Sequence, residues 1–67
     1  MIKITSEYIT LQQLLKMVDI ASSGGEAKLL VKTLKISVNN VKEDRRGRKL
    51  YAGDEVNIEG KIFKIGK

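Results

Sequence analysis

The chain has 67 residues, of which thirteen are Lys or Arg and eight are Asp or Glu, and it contains no His, Cys or Pro. A chain of this length has room for one small hydrophobic core. We therefore expect one domain over residues 1–67. Without His and Cys it lacks the commonest metal ligands and the usual neutral-pH general base, so we expect no metal, no cofactor and no enzymatic activity. The formal charge is +5, with a basic excess of one in residues 1–34 and of four in residues 35–67, and this favours a polyanionic partner such as nucleic acid.

The chain begins with a predicted short strand and a predicted helix. Ile2 and Ile4 alternate with polar residues, which is typical of a strand. Thr10 and Gln13 then have the spacing of a capping box. The helix itself is indicated by apolar residues at i, i+3, i+4 and i+7, which are Leu11, Leu14, Leu15 and Val18.

A second helix repeats these two patterns. Ser23 and Glu26 predict another capping box at its start. The apolar positions again follow the spacing of one helix face, at Ala27, Leu30, Val31 and Leu34.

The second half of the chain predicts short strands. Residues 36–38 alternate between apolar and polar side chains and precede a turn at Asn39–Asn40. A hairpin is predicted around Gly60, between the alternating residues of 55–59 and 61–65. Because helices of about ten residues are not stable alone, we expect an α+β fold in which two short helices pack on a small antiparallel sheet.

The first candidate functional feature is the pair Gly24-Gly25, after Ser23, at the start of the second helix. Gly costs roughly 1 kcal/mol relative to Ala in a helix, so two in a first turn need a reason. One reason is close approach of a phosphate to the free N–H groups, helped by the Ser hydroxyl; the other is a tight turn between helices. Glu26 would place a carboxylate near a bound anion if it closed the capping box.

The second feature is a row of lysines along one flank of the second helix. Lys28, Lys32 and Lys35 stand at i, i+4 and i+7 and begin beside the glycine pair. They either track a phosphate backbone or form the solvated side of a surface helix.

The third feature is residues 42–49, which hold five bases and two acids and include the only arginines of the chain, Arg45, Arg46 and Arg48. Arginine offers a planar fork to phosphate oxygens. The alternative is a solvated hairpin loop in which Glu43 and the neighbouring acid pair with the arginines. As exposed charges, the three arginines are expected to contribute little to folding. Tyr51 just beyond either stacks on an exposed base or covers a sheet edge.

Other functional classes lack support in the sequence. The chain has no zinc-finger spacing, no Gly-x-x-x-x-Gly-Lys-Ser/Thr phosphate-binding loop and no aromatic pattern of RNA-recognition motifs. The adjacent acids at 43–44 and 54–55 lie in polar, turn-like sequence that would not separate their pKa values for catalysis. Apolar stretches of a few residues are far below the roughly 20 that a spanning helix needs, so we expect a soluble, cytoplasmic protein without a membrane partner or a small-molecule substrate.

Four segments over roughly residues 8–60 carry a more specific pattern. They are Leu11-x-x-Leu14-Leu15-Lys16, Ser23-Gly24-Gly25-Glu26-Ala27-Lys28, Ile36-Ser37-Val38-Asn39-Asn40 and Arg45-Arg46-Gly47-Arg48-Lys49-Leu50-Tyr51-x-Gly53-Asp54-x-Val56. Together they resemble the RNA-binding domain named after the fourth small-subunit ribosomal protein, and most of all its small stand-alone bacterial members of the YaaA type. In three places the chain departs from that family: Asn40 and Leu34 replace common glycines, and Thr10 replaces a basic residue.

The resemblance implies the αL architecture. It also implies that the partner is a structured RNA, most of all ribosomal RNA or a ribosomal particle, with a role at the large subunit or in its assembly. The expected RNA-binding residues come from the second helix and the basic segment: Ser23, Gly24, Gly25, Lys28, Lys32, Arg45, Arg46, Arg48 and Lys49. A protein-interaction module and a DNA-binding accessory protein remain the alternatives for the same basic surface.

Overall fold

A computed structural model describes residues 2–67. Its elements, in chain order, are β1 (Ile2–Lys3), β2 (Tyr8–Thr10), α1 (Leu11–Met17), α2 (Gly24–Thr33), β3 (Ile36–Val38), β4 (Val41–Lys42), β5 (Lys49–Tyr51), β6 (Glu55–Ile58) and β7 (Lys61–Gly66). Five strands form one sheet in the order β1-β7-β6-β3-β4, and β2 pairs with β5 in a separate antiparallel ribbon. Within residues 2–67, no helix combines the length and the apolar character needed to cross a membrane.

Hydrogen bonds from neighbouring residues define both ends of α1. Thr10 Oγ1 accepts from the Gln13 N–H at 3.2 Å and Gln13 Oε1 accepts from the Thr10 N–H at 2.8 Å, so the predicted capping box is confirmed. At the other end Asp19 adopts a left-handed φ of 61°, and the Ile20 N–H donates to the Leu15 carbonyl at 2.9 Å. This is the Schellman arrangement, and it stops the helix after two turns.

The predicted capping box of α2 is confirmed in one half only. Ser23 Oγ accepts from the Glu26 N–H at 3.2 Å. The Glu26 carboxylate, however, accepts from the N–H of Ser22 at 2.9 Å rather than from that of Ser23. Both N-cap residues are extended, but the φ of Ser23 is −152° whereas that of Thr10 is −94°, and this angle sets the direction of the cap residue's own N–H.

Two turns with positive φ angles join the antiparallel strands. Asn39 and Asn40 have φ angles of 51° and 69°, and Glu59 and Gly60 have φ angles of 51° and 91°. Two successive left-handed residues are typical of the tightest hairpins, because their twist matches that of the strands. The predicted turn at Asn39–Asn40 and the predicted hairpin at Gly60 are both confirmed.

The α+β class is also confirmed, but one strand pair of the sheet is parallel, whereas the sequence predicted an antiparallel sheet. β1 runs parallel to β7, with Ile2 opposite Ile65, so the sheet is mixed rather than purely antiparallel. The two strands come from opposite ends of the chain, and alternation along a strand carries no information about a distant partner. The basic segment likewise connects strands of two different sheets and does not close a hairpin.

One cluster of buried apolar side chains joins all these layers. α1 contributes three leucines, α2 contributes Ala27 and Val31, and the ribbon contributes Ile9 and Leu50, which lie directly opposite each other. The sheet contributes Ile36, Val38, Val56, Ile58 and Ile65. Leu30 and Leu34, on the predicted apolar face of α2, are only partly buried and pack at the margin of the core.

Candidate nucleic-acid interface

Residues 43–48, which we call the arginine loop, are organised by one buried carboxylate. The Glu43 side chain is only 4% exposed. Its Oε2 accepts from the backbone N–H and the Nε–H of Arg45, both at 3.0 Å, and from the Asp44 N–H at 3.2 Å. Its Oε1 accepts from Arg48 Nη1 at 2.8 Å and from Arg45 Nη2 at 3.3 Å. The carboxylate thus fixes both guanidinium groups relative to the backbone.

The pairing sets the charge state of Glu43. Hydrogen bonds from the Arg45 side chain, followed by those from Arg48 and the Arg45 backbone, lower the pKa of Glu43 from 4.5 to about 2, although burial acts in the opposite direction. The pKa of Arg45 is raised by the same contact. Glu43 does lie in polar, turn-like sequence, but its side chain is buried, and the pairing with the arginines keeps it ionised in spite of that burial.

Internal pairing and external binding were alternatives for the arginines, but the geometry is compatible with both. A guanidinium carries five N–H donors, of which Arg48 uses one and Arg45 two with Glu43. The Arg45 side chain remains 73% exposed and that of Arg48 32% exposed. Both side chains keep donors for an anion outside the protein.

The arginine loop lies against the first turns of both helices. Its backbone accepts hydrogen bonds from α1: the Leu11 N–H donates to the Arg48 carbonyl and the Gln12 N–H to the Arg46 carbonyl, each at 2.9 Å. The Arg46 side chain extends to α2, where Nη1 donates to the Gly24 carbonyl at 3.4 Å. Two regions more than twenty residues apart in sequence are therefore in contact.

The two glycines of α2 differ in their surroundings. A Cβ atom on Gly24 would lie 2.9 Å from Gln12 Nε2, whereas one on Gly25 would have only Ser23 Oγ within 4.0 Å. Gly24 is half-buried between the helices, and a Cβ atom there would require the end of the Gln12 side chain to move. Gly25 is exposed, and its lack of a side chain leaves the first turn of α2 open to solvent. The Ser23 hydroxyl oxygen accepts the capping hydrogen bond, and its O–H proton can still be donated to a ligand.

The lysine row is shorter than the sequence predicted. Lys28 and Lys32 are exposed on α2 and follow Gly24 at i+4 and i+8, which places them on the flank that begins at the arginine contact. Lys35 lies beyond the helix, which ends at Thr33, and its backbone N–H donates to Glu59 at 2.5 Å. The row therefore ends at Lys32.

Lys49 belongs to the ribbon and adjoins an aromatic pair. Its Nζ lies 5.0 Å from the centre of the Tyr8 ring, and Tyr8 lies opposite Tyr51 with ring centroids 5.7 Å apart. Tyr8 was not among the residues singled out from the sequence. Its alternation with Ile9 and Thr10 was a local signal of a strand, but only the pairing of β2 with β5 brings it to the basic segment.

Two comparisons with known proteins identify the family of proteins to which a chain with this fold and this surface belongs. A family model described as the S4 domain matches residues 2–66. This range is longer than residues 8–60, over which the motifs gave the resemblance. The chain therefore belongs to the S4 domain family. It is 51% identical over 59 residues to the probable ribosome maturation protein RlbA of Bacillus subtilis (strain 168), a match that covers 88% of this chain and 83% of that protein. The family resemblance found in the sequence is confirmed.

Proposed function

We propose that this chain is a non-catalytic RNA-binding domain that recognises structured RNA, with ribosomal RNA of the large subunit or its assembly intermediates as the target. Membership of the S4 domain family supports RNA binding, and a relative whose name is that of a ribosome maturation protein supports a ribosomal partner. Such a role belongs in the cytoplasm, where ribosomes assemble.

The observation that carries this proposal is the contact between Arg46 and the Gly24 carbonyl. It joins the start of α2 to the arginine loop, so that the cationic groups of both act on one stretch of RNA. The N–H groups of Gly24 and Gly25, with the Ser23 hydroxyl and Lys28, bind one phosphate. Lys32 extends this contact along the flank of α2.

The arginine loop and Lys49 bind the neighbouring phosphates. Arg45 and Arg48 are held in place by Glu43, which reduces the conformational entropy lost when they bind. Arg46 and Lys49 adapt to the RNA from either side of this fixed pair. Phosphate contacts of this kind read the shape of a folded RNA rather than its sequence.

The test is the salt dependence of binding to deproteinised ribosomal RNA. Each phosphate contact contributes about 0.7–0.9 to the slope of log K against log salt, so we expect affinity to fall steeply between about 50 and about 200 mM salt. Arg46→Ala should reduce the slope by about 1. Lys61→Ala, which removes an exposed charge from the β6–β7 hairpin, should leave it unchanged.

Affinity that did not change with salt would contradict the phosphate mechanism. Equal competition by duplex DNA would favour a DNA-binding accessory protein. Copurification with a protein after nuclease treatment, without RNA affinity, would favour a protein-interaction module.

A further inference from the structure

The two-stranded ribbon of β2 and β5 has one face toward the core and one toward solvent. Ile9 and Leu50 lie opposite each other and are buried. Their neighbours in each strand point the other way, so Tyr8 and Thr10 of β2 share the outer face with Lys49 and Tyr51 of β5. Alternation in two strands thus places the only two tyrosines of the chain side by side on the surface.

Both tyrosines keep part of their surface exposed to solvent. Tyr8 is 37% and Tyr51 is 42% exposed. Their ring planes are inclined by 48° at a centroid distance of 5.7 Å, a tilted geometry in which each ring supports the other. The Lys49 ammonium group, 5.0 Å from the Tyr8 ring centre, lies against Tyr8 and leaves Tyr51 as the more accessible ring.

Both tyrosines line hollows that also contain the arginines. Tyr51 lines a hollow together with Arg45, Arg48, Lys49 and one acidic residue, Asp54, whose carboxylate accepts from the Tyr51 N–H. Tyr8 lines a second hollow together with Arg46. Each aromatic ring therefore lies beside cationic groups that would bind a phosphate. A nucleotide has both a base that can stack on a ring and a phosphate that binds cations, so it fits this arrangement.

We propose that the outer face of the β2–β5 ribbon binds an unpaired nucleobase, which stacks on Tyr51 while Tyr8 supports that ring and Lys49 and the arginine loop hold the flanking phosphates. This inference rests on the proposed RNA binding and specifies its ligand further. A base within a duplex has both faces covered by its neighbours, so the ligand is an RNA with a bulged or looped-out nucleotide. The surrounding positive charge favours a nucleic acid over a protein side chain as the stacking partner.

The experiment compares three RNA hairpins that share one stem sequence. One carries a single bulged adenosine, one carries an abasic residue at the bulge, and one is fully paired. The abasic RNA keeps the backbone and its charge but lacks the base, so its comparison with the bulged RNA isolates stacking without any change to the protein. At low salt we expect the bulged adenosine to bind about 5- to 150-fold more tightly than the abasic RNA.

Two variants test whether Tyr51 supplies the stacking surface. Tyr51→Phe retains an aromatic face and should keep the preference for the bulged base, whereas Tyr51→Leu should lose most of it. Ile62→Ala, which truncates another exposed apolar side chain in the other sheet, should behave as the unmodified chain. Because the chain has no Trp, tyrosine emission reports on this face, and the bulged RNA should quench it more than the abasic RNA does.

Each alternative result has a definite meaning. Equal, salt-dependent binding of all three RNAs would overturn the stacking site and leave the proposed phosphate binding intact. Absence of binding to any RNA at low salt would overturn the proposed function itself. Loss of a copurifying protein in Tyr51→Leu, with RNA binding unchanged, would identify the tyrosine face as a protein contact and overturn this inference.

Discussion

The Glu43 carboxylate accepts hydrogen bonds from two arginine side chains and two backbone N–H groups of its own loop. Truncating Arg45 and Arg48 would leave this buried charge without its cationic partners, and a buried charge that loses its ion pair is costly. We therefore no longer expect Arg45 and Arg48 to contribute little to folding. That expectation stays only for Arg46, which makes no hydrogen bond to Glu43 among those of residues 2–67.

Because folding lowers the pKa of Glu43 to about 2 from 4.5, its ionised form stabilises the folded state above the unfolded-state pKa. We expect this contribution, about 1–2 kcal/mol after allowance for the exposure of Arg45, to be complete above about pH 5 and to be lost as the pH falls toward about 2. Urea unfolding across this range should show the decline.

Glu43→Gln should lower the free energy of unfolding at neutral pH by a similar amount and flatten the acid decline. Glu55→Gln, which changes an exposed carboxylate on β6, is the matched control and should change stability little. Identical unfolding curves for Glu43→Gln and the unmodified chain would show that the ion pairs do not stabilise the loop.

Gly25 allows contact with RNA to be separated from folding. A Cβ atom there has open space in the free protein, and Ala is the better helix former, so Gly25→Ala should leave thermal stability unchanged or slightly raised. If RNA approaches the N–H groups of this turn, the new methyl group should weaken binding about tenfold, equivalent to loss of one hydrogen bond to a charged group. Unchanged affinity would place the RNA away from the start of α2.

The end of α2 and the β3–β4 turn differ in backbone conformation. Leu34 ends the helix in an extended conformation (φ −83°, ψ 153°) and packs on the margin of the core. Asn40, in contrast, adopts φ 69° in the β3–β4 turn, a conformation that Asn tolerates and Gly prefers. The family resemblance gave both positions as common sites of Gly, but only one of them has the backbone that favours it here.

We therefore expect glycine to have opposite effects at these positions. Asn40→Gly should raise the free energy of unfolding by about 0.5 kcal/mol, because it relieves a left-handed residue. Leu34→Gly should lower it by about 1–3 kcal/mol, through lost burial and added chain entropy. Thermal unfolding of the two variants checks this, and a change of the same sign in both would contradict the turn geometries.

For the whole molecule, the same core supports the folded state and the surface proposed to bind RNA. Leu50 is fully buried within that core and lies between Lys49 and Tyr51. Ile9, its partner across the ribbon, lies between Tyr8 and Thr10. The outer face of the ribbon therefore depends on the packing of its inner face.

Leu50→Ala should cost about 2–5 kcal/mol, comparable with the entire stability of a chain this small. Circular dichroism should show loss of folded structure at ambient temperature, together with loss of RNA binding. Leu29→Ala, at a leucine that is 67% exposed on α2, is the control and should remain folded. A folded Leu50→Ala protein would contradict the single shared core.

Sequence reasoning predicted both helices and four strands because each has a local cause, but it missed the short strands β2, β4 and β5. The apolar spacing and the Thr10–Gln13 box of α1 depend on residues within two turns, and the hairpin turns depend on residues that tolerate positive φ. The arginine cluster and the glycine pair were visible for the same reason. The family motifs add the αL architecture to this local pattern.

Only the tertiary structure decided which strands and side chains that are far apart in sequence come into contact. The sequence offered pairing of Glu43 with the arginines as an alternative but did not indicate that Glu43 is buried. It also did not indicate that β1 runs parallel to β7 or that Tyr8 meets Tyr51. Periodicity specifies which side of an element is apolar but not which distant element covers it, because pairing is selected by packing of the whole core. The amino-acid sequence by itself thus determined the helices, the hairpin turns and the charged segments, while the fold paired β2 with β5 and brought α2, the arginine loop and the ribbon together.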